Sequence, residues 1–400
     1  MKYIVFLLMV LYLYVLTYGI FMTETFRLPA PVLFGIPLVI LFNTKVKGFA
    51  YTKELIALLI AVFFYYVIGL QELETFASYA IGILMCSLFF NYFIGNSGLR
   101  FRTSVFIFYT LLLFSAVVMV MDHIYPGTRQ IRELLVDDKV VQSPSGIAVY
   151  QFTFGYQIAA LTPFLFIYTI LYQRSFLLKS LVLVSCLGFL YLGMQRSAFV
   201  AFLACVLILT LLYYRHKALV IWSLGALVGM LFYTLVLKDN TDERNNIFAK
   251  NANDGTEFNR SGLALENINI YSDYPLGLIF YGKNWGDVIY RNPVFSSGIT
   301  SHNAYLMFIT YLGPIVGLTL LWIIYAKVLK ISFLALKRIR DPDNALLICL
   351  CFSFLGVSIN SLSHNAWLIS ADGPTLFLYF SILHLYRMKN QDDFKTLTIT

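Results

Sequence analysis

Ser104 to Met121 read SVFIFYTLLLFSAVVMVM, an uncharged run of 18 residues between Arg102 and Asp122. Crossing about 30 Å of hydrocarbon as a helix takes roughly 20 residues, and a hydrocarbon interior admits charge only at high cost. The whole chain has this character: of its 400 residues 59% are hydrophobic, 17% aromatic and only 12% charged. Such a composition excludes an ordinary soluble domain.

Working outward, similar runs recur at Tyr3–Met22, Leu28–Phe42, Leu55–Leu70, Leu73–Ile94, Ile147–Tyr172, Leu177–Gly193, Ser197–Tyr214, Ala218–Leu237, Ala304–Ala326, Ala345–Ile359 and Trp367–Tyr386. With the opening run, they predict an all-α, polytopic integral membrane protein of about twelve transmembrane helices, with a large outer loop before the tenth. Lys2 precedes the first run and no small-residue cleavage site follows it, so it reads as a retained helix.

Basic residues orient the chain. With the N-terminus inside, the inner loops collect Lys45, Lys47, Lys53, Arg100, Arg102, Arg174, Lys179, Arg215 and Lys217, and the last long one holds Lys327, Lys330, Lys337, Arg338 and Arg340. The short outer loops hold only Arg27 and Arg196 beside Glu72 and Glu74. This is the positive-inside asymmetry, and it puts both termini in the cytoplasm. The net charge of +8 then serves topology and contact with anionic lipid, not nucleic acid.

The expected organisation is N-terminal helices over 1–121, a first outer loop over 122–146 and central helices over 147–237. A large outer loop over 238–302 and C-terminal helices with a short tail over 303–400 complete it. The first loop carries an amphipathic helical pattern from Thr128 to Leu135, with Thr128 as its cap. In the second, Lys238–Asn259 is polar loop and Ser261–Tyr274 a short surface helix, before Pro275, Gly277 and Gly282 break regular structure. Loops of this size on one face are where function gathers. All five cysteines fall inside apolar runs, where they read as small buried hydrophobes.

Chemistry concentrates at the end of the large loop, in Ser301-His302-Asn303-Ala304-Tyr305-Leu306 followed by Gly313 and Gly317. An imidazole at a membrane surface is able to take a proton from a hydroxyl. Ser301 or Asn303 is also suited to cap the next helix. A second Ser-His-Asn-Ala stands at residues 363–366, again at an outer helix start, so His364 is a further candidate. Asp372, in Asp372-Gly373-Pro374, is either a carboxylate a turn into the last run or the simple start of a shorter helix. Arg196 occupies a tight outer turn, Gly193–Ala198, against the positive-inside bias, and its guanidinium fork matches pyrophosphate oxygens. Arg260 and Arg291 lie in the large loop.

Order and spacing together resemble the O-antigen polymerase and ligase superfamily of bacterial membrane glycosyltransferases. The elements that match are Arg196-Ser197-Ala198, Arg260 fifteen residues before Pro275 with Gly277, His302-Asn303-Ala304-Tyr305-Leu306, and Gly313 and Gly317. They cover roughly residues 185–330. The chain departs from the pattern at Ala264, where an aromatic is usual, and in a loosened glycine element from Gly277 to Gly282.

The resemblance implies an enzyme of polysaccharide or lipopolysaccharide biosynthesis at the outer face of the cytoplasmic (inner) membrane. Its donor is a glycan on undecaprenyl pyrophosphate, its acceptor a sugar hydroxyl. His302 is then the base, and Arg196 and Arg260 face the pyrophosphate. Asn303, Tyr305, Arg291, His364 and Asp372 are expected at the substrate. No metal or other cofactor is expected, since arginines take the place of a divalent ion. Membrane lipids, a chain-length regulator and a flippase are the expected partners. A polymerase is favoured, with a ligase onto lipid A–core as the alternative. A twelve-helix transporter of polysaccharide or lipid-linked sugar is the alternative from another class, although such folds usually carry repeats and midplane binding groups.

Overall fold

The computed structural model describes residues 2–44, 48–125, 127–238, 260–288 and 302–397. The protein is helical throughout, with no strand among the described residues. Each apolar run lies on a helix. The helices are α1 (Lys2–Tyr18), α2 (Ala30–Leu41), α3 (Thr52–Val62), α4 (Leu73–Leu88), α5 (Gly98–Ile124), α6 (Thr128–Val136), α7 (Gln151–Tyr172) and α8 (Phe176–Leu192). They continue with α9 (Arg196–Tyr214), α10 (Ala218–Phe232), α11 (Arg260–Asp273), α12 (Ala304–Gly313), α13 (Thr319–Lys337), α14 (Ala345–Asn360) and α15 (Gly373–Leu397).

Among the described residues seven helical stretches have the length and apolar composition to cross a membrane: 52–69, 73–94, 98–124, 151–172, 196–235, 304–337 and 342–363. Three apolar helices are shorter, at 3–18, 30–41 and 176–192. This is the architecture of a helical membrane protein. Among the described residues four stretches widen into π-helix, at Phe63–Gly69, Phe89–Ile94, Tyr233–Leu237 and Pro314–Leu318, each directly after an α-helix.

The centre of the bundle is formed by α7, α14 and α15. Gly356 of α14 crosses α7 so closely that a Cβ there would sit 2.4 Å from the Ala159 carbonyl oxygen. Gly373, the first residue of α15, meets α1 in the same way, 1.7 Å from the Leu16 oxygen. Phe89, Phe90, Phe108, Phe377 and Phe380 fill the space between α4, α5 and α15. Near the middle of α15, His384 is fully buried, bonded through Nδ1 to the Tyr51 hydroxyl at 2.8 Å and through Nε2 to the Gly95 oxygen at 2.6 Å.

One local expectation shifts. The amphipathic helix between α5 and α7 is present as α6, but Gly127 is its cap; Thr128 is inside the helix and its hydroxyl donates back to the Tyr125 carbonyl at 2.7 Å. Of the two readings of Asp372, the start of a shorter helix is the one found. The residue precedes Gly373 as the cap of α15, accepting from Thr375 N at 3.0 Å and from the Thr375 hydroxyl.

The segment between α5 and α7 is anchored by Arg132, which has no exposed side-chain surface. Its guanidinium donates to Asp122 Oδ2 at 2.7 Å, Ser143 Oγ at 2.8 Å, the carbonyls of Gly146 at 2.9 Å and Gln142 at 3.2 Å, and Ser145 Oγ. Burial draws its pKa down, and Asp122 counters the shift.

Candidate functional site at the starts of helices 9 and 12

Three turns meet at one end of the bundle. The first joins α8 to α9. Met194 takes a φ of 53°, Gln195 donates through Nε2 to the Gln151 carbonyl at 2.8 Å, and Arg196 is the first residue of α9. The positive end of a helix dipole thus adds to the guanidinium charge there.

The second turn leads into α12. His302 adopts a φ of 50°, in the left-handed region that histidine visits more readily than most side chains. Asn303 caps the helix: its side-chain oxygen accepts from Leu306 N at 3.0 Å. Tyr305, one turn in, has its hydroxyl taken by the Tyr325 hydroxyl at 3.0 Å and the Ser358 carbonyl at 3.2 Å. Its ring meets the fully buried Trp367 edge to face, 5.2 Å between centroids.

The third turn follows α14 and carries the second Ser-His-Asn-Ala. His364 joins the other two. Its carbonyl accepts from Ala304 N at 2.9 Å, and its Nε2 lies 3.1 Å from Ser197 Oγ. Ser197 Oγ in turn donates to Asn360 Oδ1 at 2.6 Å. Tyr156 secures the same turn by a bond to the Ala366 carbonyl.

Gly277 of the large loop and Gly313 at the end of α12 have a mechanical role. Gly277 (φ 99°) and Gly313 (φ 73°) pack backbone to backbone: a Cβ on Gly313 would lie 1.9 Å from the Leu276 oxygen, one on Gly277 2.3 Å from Gly313 N. Helix α11, which Arg260 opens, leans on α12 through Asn267, bonded to the Thr310 hydroxyl and 3.3 Å from Met307 Sδ.

Arg196, His302, Asn303, Tyr305 and His364 therefore belong to one connected set of turns. Arg260 is placed only by its helix. Arg291 lies outside the described residues, as do Ser301 and the polar stretch 239–259. Asp372 stands past Trp367, and its bonds to Thr375 are those of a helix cap. Burial pushes its carboxyl up to about 6, against the pull of the Thr375 bonds. Among the described residues no three His, Cys, Asp or Glu side chains converge.

Ser197 and Asn360 were not marked out by the sequence. Ser197 opens the apolar run to Tyr214 and follows Arg196 in the matched turn, and Asn360 falls one residue beyond the run ending at Ile359. An asparagine closing a buried helix was the available signal.

Beside Tyr305 an apolar groove of about 530 Å³ opens on the side of the bundle, lined by Tyr305, Leu318, Leu321, Trp322 and Tyr325. Trp322 is 68% exposed on a helix long enough to span a membrane.

Comparison with known protein families and with curated proteins finds no match for this chain.

Proposed function

We propose that this chain is a membrane glycosyltransferase that polymerises lipid-linked oligosaccharide repeats for an O-antigen, capsule or exopolysaccharide. It acts at the outer face of the bacterial cytoplasmic membrane, crosses it about twelve times and keeps both termini inside. The observation that carries this is the bonding of the Arg196 turn and the His302 turn to one residue, His364. A cation and a base are the two groups the reaction needs. The groove beside Tyr305 supports a lipid-borne donor, since an isoprenoid chain is apolar and the groove is too.

In the reaction His302 takes the proton of an acceptor sugar hydroxyl. The oxygen attacks the anomeric carbon of the donor chain, and the bond from that carbon to the pyrophosphate oxygen breaks. Undecaprenyl pyrophosphate leaves, its added negative charge met by Arg196 and Arg260. Asn303 and Tyr305 shape the start of α12 beside the reacting sugar, while Arg291 and Asp372 remain substrate-side candidates.

Deleting the gene and resolving surface and lipid-linked glycans on a gel tests the proposal. Loss of the ladder, with single repeats still on core or carrier, is expected. Bare core with long chains accumulating on undecaprenyl pyrophosphate would make the protein a ligase. An unchanged pattern would overturn both and favour transport, to be followed as uptake of labelled lipid-linked sugar into proteoliposomes.

A further inference from the structure

We infer that His364 is a positioning residue that sets the Arg196 turn and the His302 turn at a fixed separation; its importance for activity rests on the function proposed above. Its two ends act on two different helices. The carbonyl oxygen holds Ala304 N, two residues beyond His302. The ring holds Ser197, the neighbour of Arg196. Because the Ser197 proton is committed to Asn360 Oδ1 at 2.6 Å, Ser197 Oγ accepts from His364 Nε2–H. The ring is wedged beside Tyr156, with centroids 6.0 Å apart, and Phe152 at 6.2 Å, which limits its rotation.

Two bonds thus form a continuous strut from α9 through the second Ser-His-Asn-Ala to α12, and the Ser197–Asn360 bond braces its α9 end. Helix starts are otherwise free to shift by fractions of an ångström, and reacting groups misplaced by about 1 Å lose up to a hundredfold in rate. The backbone of His364 is extended (φ −148°, ψ 160°), so a side-chain substitution leaves the bond to Ala304 in place and removes only the ring's half of the strut. Glutamine suits a conservative replacement, because its Nε2 donates from nearly the position of the imidazole Nε2.

The test is a kinetic cycle on the purified full chain in nanodiscs, with lipid-linked repeat as substrate. Ser197→Ala and His364→Ala are each expected to lower kcat about tenfold to a hundredfold with KM unchanged. The double variant should be no slower than the slower single one, and His364→Gln should recover most of the rate. A rise in KM alone, additive losses, or a glutamine variant as slow as alanine would overturn the inference, pointing to a substrate contact or a proton-transferring ring. If the wild type polymerises nothing, the proposed function fails and hydrogen exchange decides the strut separately. Faster exchange at 197–199 in His364→Ala, with exchange at 304–306 held by the main-chain bond, upholds it, and unchanged exchange at 197–199 overturns it.

Discussion

Ala304 donates its backbone N–H to the carbonyl oxygen of His364 at 2.9 Å, so the second Ser-His-Asn-Ala fixes the first by main chain alone. Side-chain substitutions at His302 consequently leave the start of α12 tied down. This lets chemistry at His302 be separated from folding.

His302→Asn is the variant to make. Its φ of 50° suits asparagine as well as histidine, whereas alanine would strain there. An asparagine side chain does not take a proton near neutral pH. Glycan polymerisation should fall about 100- to 10,000-fold, read from the ladder, while thermal unfolding in detergent stays within a degree or two of wild type.

Arg132→Met should destabilise the segment between α5 and α7 by about 3–5 kcal/mol, because it leaves the Asp122 carboxylate buried without its partner. Proteolysis within 127–150 of folded protein in detergent is the direct check. The double change Asp122→Asn with Arg132→Met should recover part of the loss; no recovery would mean that the carbonyl and serine bonds, not the ion pair, hold the segment.

The carboxyl of Asp372 sits at about 6, above its ordinary value of 3.8. A group whose folded pKa is raised favours the native state below the ordinary value, and that contribution is lost as pH rises through the folded value. The wild-type melting temperature should therefore decline between about pH 4 and pH 7 relative to Asp372→Asn, which retains an oxygen for Thr375 but does not titrate. Parallel curves for the two proteins would contradict this.

Gly313→Ala forces a methyl onto the Leu276 carbonyl and strains a φ of 73°. A left-handed φ costs a non-glycine residue about 1–3 kcal/mol before any clash is counted. The loop strand carrying Leu276 and Gly277 should lift from α12, seen as faster hydrogen exchange at 276–280 and loss of polymerisation. Gly317→Ala is the milder comparison, since its Cβ would meet the Ile309 Cα at 3.3 Å without a left-handed φ.

Helices were legible because a run such as Ser104–Met121 leaves the backbone no partner in lipid but itself. The site was legible where a residue's own neighbours mark it, as Asn303 marks a cap. It was not legible where two distant turns meet: nothing in the sequence says that the Ser197 hydroxyl will bond both to Asn360 and to an imidazole over 160 residues away. Asp372 illustrates the reverse, a carboxylate that a hydropathy window absorbs into a run although its bonds are local to a cap. Arg132 is similar, since an amphipathic pattern assigns an arginine to water and the sequence does not show the cage of carbonyls and hydroxyls that surrounds it.

The widened segments at Phe63–Gly69 and Phe89–Ile94 bear on how the length of this chain is able to vary. Removing one residue from an α-helix rotates everything beyond it by about 100°, which in a packed bundle turns a core face outward. A π turn closes its hydrogen bonds over one residue more than an α turn. Excising a single residue there lets the segment tighten into α-helix while the preceding helix keeps its bearing and the turn that follows keeps its place. Single-codon deletions at 63–69 or 89–94 should thus yield folded protein, whereas the same deletion in the middle of α5, between Val105 and Met119, should not. In a family of such chains, one-residue gaps belong at these two places.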